Sequence, residues 1–194
     1  MKAFVRFVQR RAERQLRVPA DYLRQLGDTS FSGFLKFLMI LPAAAHRRRS
    51  DPALVHAVRI AATQDEDCGP CVQIAVNAAI DDGVGPDIIK AVLDRNHDQM
   101  PKEVALALKF AEGVLARDGS EEEARDEIVR QLGQTVVTEL SLAIATARVF
   151  PSLKRGLGFA RSCALVEVAV EARPTLPNNA LHQTKRARSG RRVS

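Results

Sequence analysis

Apolar residues recur at helical spacing through most of this chain, with charged and polar residues between them, which is the mark of one buried helical face. Residues 2–17 place Phe4, Val5, Val8, Ala12 and Leu16 on a single stripe ringed by arginines. Pro19 to Leu26 reads as a short helix ended by Gly27, and Phe31 to Ala45 as a buried helix bent or stopped near Pro42. Ser50-Asp51-Pro52 is the sharpest boundary, an N-cap followed by a proline in the first helical turn. From it runs Ala53 to Thr63, with Leu54, Ala57, Val58 and Ala61 inward, then Cys68 to Asp82, with Val72, Ala75, Val76 and Ala79 inward and a stop at Gly83. Pro86 to Leu93 and Pro101 to Ala116 follow, and Ser120-Glu121-Glu122-Glu123 reads as a capping box that opens a helix to Leu132. Thr135 to Phe150 and Gly156 to Glu171 close the pattern, separated by Pro151 to Arg155. No stretch of useful length alternates as a strand would, so the pattern predicts an all-α fold.

Composition agrees with that prediction. The 194 residues are 46% apolar, with no Trp and one Tyr, and Ala, Leu and Val dominate. The tail from Arg173 has no apolar period and reads as a disordered basic segment. The expected organisation is an N-terminal helical extension over 1–50, a helical domain over 51–172 and the tail over 173–194.

Charge changes the picture more than composition does. The net charge of +6 is unevenly spread: residues 1–50 carry 11 Lys/Arg against 3 Asp/Glu, residues 51–172 carry 12 against 20, and residues 173–194 carry 6 against none. An acidic central domain argues against specific nucleic-acid binding, which places basic residues on the folded surface. The basic amphipathic stretch 2–17 can touch an anionic membrane surface, and packing on its own domain or on a partner subunit is the commoner use. The apolar run Phe37 to Ala45 is far short of the roughly 20 residues a membrane span needs. The N-terminus lacks the apolar core and small-residue cleavage site of a signal peptide, so a reducing, cytoplasmic setting is expected.

Chemistry concentrates at Cys68-Gly69-Pro70-Cys71. Two cysteines three residues apart can close a tight disulfide and reopen it, and a helix start beside them favours a thiolate. Pro70 leaves that helix start intact, since an early helical N–H has no intrahelical partner. Three cysteines in a chain of this length make no disulfide framework. The same tetrapeptide in thioredoxins follows a β-strand; here helical sequence stands on both sides of it.

A helix followed by CxxC at the start of the next, in an Ala-rich all-α chain, resembles the carboxymuconolactone decarboxylase and alkylhydroperoxidase D superfamily, most closely over Asp51 to Gly83. The stretch Ala145 to Gly158 is also similar to one branch of it. The resemblance implies reduction of a hydroperoxide or disulfide by the cysteine pair, an unidentified thiol electron donor, no cofactor, and assembly as a homo-oligomer. It also implies a Glu and a His as proton relay, but those positions fall on His56 and Ala75 here.

Four further residues enter as candidates. His56 is a replacement base, titrating near neutrality. Glu66, within the acidic turn Asp65-Glu66-Asp67, is a nearby proton acceptor or part of a solvated turn. Cys163 reads as a small buried residue of the last helix, with a partner role to the pair as the alternative. His56 and His97 with the two cysteines would make the four ligands of a zinc site, though no second CxxC or HxxxH accompanies them. Two functions stay open: a CxxC oxidoreductase or peroxidase, and a non-enzymatic helical protein that assembles or binds a small apolar molecule.

Overall fold

The computed structural model describes residues 1–159, and among them it is all-helical with no strand. Four helices precede the boundary at Ser50: α1 (Lys2–Leu16), α2 (Asp21–Thr29), α3 (Phe31–Leu38) and α4 (Ile40–Ala44). Six follow it: α5 (Pro52–Asp65), α6 (Gly69–Asp81), α7 (Pro86–Leu93), α8 (Lys102–Ala116), α9 (Glu121–Leu132) and α10 (Gln134–Gly156), with a 3-10 turn at His97–Gln99. Asp51 caps α5 as its sequence foretold, accepting the Ala53 N–H at 2.8 Å. Cys163, most of the helix expected over Gly156 to Glu171, and the basic tail lie outside the described residues.

Two apolar clusters organise the chain. The larger joins α5 to α10 around Val55, Val58, Leu108, Ile128 and Leu140, with α5 central and packed on α6, α7, α8 and α10. The smaller holds α1, α2 and α3 together through Val5, Tyr22, Leu23, Phe34 and Phe37. Val149, Phe150, Leu153 and Leu157 from the end of α10 complete it. The first fifty residues therefore close over the C-terminal end of α10 and one face of α6, and α1 buries Val5 while Phe7 stays exposed.

Several elements depart from the sequence pattern, each for a local reason. Gly27 does not end α2; it lies inside the helix, where a Cβ would stand 2.6 Å from the Val5 methyls, so glycine is what lets α1 close on α2. Phe31 to Ala45 is two helices hinged at Met39, with Pro42 tolerated in the first turn of α4, and its Leu35, Met39 and Leu41 are exposed rather than buried. The expected capping box does not form: Ser120 has helical backbone and makes no side-chain cap bond, and Asp118 accepts the Ser120 N–H instead.

The largest departure is α10, which continues through Pro151 to Gly156 instead of stopping at Phe150. An interior proline costs a helix about 3 kcal/mol. Here Pro151 is buried, and beyond it Leu153 packs into the smaller cluster while Ser152 and Arg155 grip the α5–α6 turn at Glu66, which offsets that cost. Among the described helices α10 alone is long and apolar enough to cross a membrane by length and composition, and it lies against α4, α5 and α9.

Candidate redox site

Asp67, held at a φ of 48°, turns the chain out of α5, and Cys68 becomes the N-cap of α6. Cys68 and Cys71 are joined by a disulfide, with their Cα atoms 5.2 Å apart. The turn is closed by backbone bonds from the Cys71 and Val72 N–H groups to the Cys68 carbonyl, at 2.8 and 3.0 Å. Both cysteines are buried, at 5% and 4% exposure, but each sulfur residue borders a different cavity. Cys71 lines an apolar cavity of about 550 Å³ between the N-terminal helices and α5, α6 and α10. Cys68 lines a smaller one of about 220 Å³ with Pro19, Asp21, Tyr22, Pro70, Lys154 and Phe159.

Lys154 was not among the sequence candidates, and its side chain contacts the pair at Cys71. Its Nζ lies 3.6 Å from Cys71 Sγ and 5.1 Å from the centre of the Tyr22 ring. The side chain is 6% exposed and has no carboxylate within salt-bridge distance among the described residues. Burial lowers its pKa from the ordinary lysine value. Burial also pushes the Tyr22 phenol up to about 12, so Tyr22 offers a neutral ring and not a second charge. No sequence signal marks it: the apolar pattern puts Lys154 in a break between two helices, and only the continuation of α10 through Pro151 turns it inward.

Glu66 explains how Lys154 arrives there. The acidic turn is not simply solvated: Glu66 is buried and accepts from Arg148 Nε at 2.7 Å, Arg155 at 3.4 Å and Ser152 Oγ at 3.4 Å, while Arg155 also donates to its backbone carbonyl. Arg148, Ser152 and Arg155 recur at helical spacing on α10, so one stripe holds the turn before Cys68 and the neighbouring Lys154 is fixed against Cys71. With its oxygens so engaged, Glu66 serves as the anchor of the site.

His56 is placed elsewhere. It is 2% exposed, and its Nε2 lies 2.9 Å from Asp82 Oδ2, at the far end of α6 from the pair. Eleven residues of helix put Asp82 roughly 16 Å along α6 from Cys71. Burial lowers the His56 pKa more than Asp82 raises it, so a neutral ring donates from Nε2 to the carboxylate, and Nδ1 is buried without a partner. His97 pairs with Glu112 at 3.1 Å on α8. The four-ligand zinc cluster is not assembled: no group of three or more His, Cys, Asp and Glu suited to a metal occurs among the described residues. Ala75 lines the larger cavity.

No family model, no curated protein and no solved structure matches this chain. The site is accordingly read from its own geometry: a disulfide at a helix start, one buried cation on its inner sulfur, and a separate cavity at each cysteine.

Proposed function

We propose that the chain is a thiol–disulfide oxidoreductase in which Cys71 is the attacking thiolate and Cys68 the resolving thiol. The observation that carries this reading is the buried Lys154 ammonium, 3.6 Å from Cys71 Sγ and without a carboxylate partner among the described residues. A buried cation is costly unless an anion pairs with it. Reduction of the disulfide supplies that anion as the Cys71 thiolate, and an adjacent lysine favours a thiolate over a thiol. The CxxC at a helix start and the likeness to the alkylhydroperoxidase D superfamily support the same reading, with Lys154 in place of the relay that falls on His56 and Ala75.

With a hydroperoxide the steps balance as follows. The Cys71 thiolate takes the terminal oxygen, the O–O bond breaks, and the leaving alkoxide takes a proton from Lys154, giving an alcohol and a sulfenic acid at Cys71. Cys68 attacks that sulfur, water leaves, and the disulfide forms. A dithiol donor then reduces the disulfide with two electrons, entering at Cys68 through the smaller cavity. Turnover of cumene hydroperoxide with dithiothreitol as donor tests the proposal. Cys68→Ser/Cys71→Ser should fall to the uncatalysed rate, and unchanged turnover in that variant sinks it.

A further inference from the structure

The larger cavity carries a second pattern that the disulfide does not use. One wall is the α6 stripe Cys71, Ile74, Ala75 and Ala78, where two alanines leave the room. That stripe alone is roughly 10 Å long by helical rise. Two charged residues line it among the described residues, and both are cations: Lys154 beside Cys71, and Arg59 on α5. Arg59 is half-buried, donates to the Ala44 carbonyl, and has no carboxylate within salt-bridge distance among the described residues. Burial lowers its pKa below the usual arginine value.

We propose that this cavity binds an unbranched apolar carboxylate, its head on Arg59 and its hydrocarbon chain along α6 toward Cys71. The volume falls within the ordinary range for small-molecule sites. The apolar walls select hydrocarbon, the absence of an acid among the described lining residues disfavours a cationic head, and the planar guanidinium matches a carboxylate with two parallel N–H donors. Arg59 takes the head because its bond to Ala44 uses one of five donors, whereas the Lys154 ammonium already rests on sulfur and ring. Binding does not require redox chemistry; only the fate of the chain end at Cys71 rests on the reading above.

Calorimetric titration of the disulfide form with dodecanoate, dodecanol and dodecyltrimethylammonium, each kept below micelle formation, tests the proposal. Dodecanoate should bind about tenfold or more tightly than dodecanol, as a hydrogen-bonded charge pair implies, and the ammonium weakest. Arg59→Gln should erase the preference for carboxylate over alcohol, and Arg59→Lys and Lys154→Met should keep it. Equal binding of dodecanoate and dodecanol, loss of the preference in Lys154→Met in place of Arg59→Gln, or no binding by protein that is folded by circular dichroism overturns the proposal. Should Arg59→Gln not fold, Ala78→Phe decides: it fills the cavity, and unchanged dodecanoate affinity rules the site out. Cys68→Ser separates the two readings: Cys68 lines the smaller cavity and not this one, so the variant should bind dodecanoate like the wild type while its turnover is lost.

Discussion

Lys154→Met is expected to slow alkylation of reduced Cys71 by iodoacetamide about tenfold at neutral pH and to move the pH profile of that reaction upward. The argument is electrostatic. In the disulfide form the ammonium is buried against a neutral sulfur, at a desolvation cost that the Tyr22 ring offsets only in part and that no carboxylate among the described residues repays. Reduction converts the sulfur to a group that can carry the matching charge, so the pair forms only in the dithiol state. Met is close to Lys in length and apolar, and it should leave the disulfide form as stable as the wild type or more so, because it removes an uncompensated buried charge. The two effects have opposite directions, and a merely structural lysine would show neither the reactivity loss nor the shifted profile. Quantifying Cys71 alkylation by mass spectrometry across pH 5 to 10 provides the check, with Cys68→Ser as background to keep the assignment to one sulfur. An unchanged profile would return the choice of nucleophile to Cys68 at the helix start.

The sequence made the helices and their faces legible because a 3.6-residue period is written locally. Leu54, Val58, Ala61, Val76 and Ala79, all expected inward from spacing, are buried. The CxxC was legible for the same reason, since its geometry needs only four consecutive residues. The failures share a cause. Pro151 reads locally as a stop, Gly27 as a terminator and Glu66 as part of a wet turn, and each is overruled by a contact from far along the chain, while Asp65 and Asp67 are exposed as that reading expects. Val5 reaches Gly27, and Arg148 and Arg155 reach Glu66. Lys154 was invisible on the same grounds, because its role depends on where α10 ends and on Tyr22 from the N-terminal helices. His56 illustrates the opposite error. Proximity in sequence made it a candidate base for the pair, while its place on α5 carries it to the other end of α6.

The cavity depends on one more distant contact, and breaking it should produce the largest loss of stability. Glu139 on α10 is 1% exposed and accepts backbone N–H bonds from Arg48 at 2.9 Å, Arg49 at 3.1 Å and Ser50 at 2.9 Å. It thereby fixes the segment that links α4 to α5 and seats the N-terminal helices over the site. Burial would raise its pKa, but the hydrogen bonds from Ser50, Arg48 and Arg49 outweigh it and hold the carboxyl at about 2. Glu139→Gln turns an N–H₂ toward those donors and removes the charge, which should cost about 3 kcal/mol in urea unfolding at pH 7, with Glu139→Ala costing at least as much. The wild-type contribution is complete above the ordinary carboxyl value of 4.5, where the unfolded chain is ionised too, and is lost as pH falls toward 2. His56 acts at higher pH: its lowered pKa means that stability present above 6.5 declines as the unfolded imidazole, but not the folded one, takes a proton. Stability measured from pH 8 to pH 2.5 should therefore fall in two stages in the wild type, and Glu139→Gln should keep the first and lose most of the second, the remainder belonging to Asp82, Glu13 and Asp118, whose carboxyls are also held below their ordinary value. A Glu139→Gln variant whose acid limb below pH 4.5 is as steep as the wild type's would show that Glu139 does not tie the linker to α10.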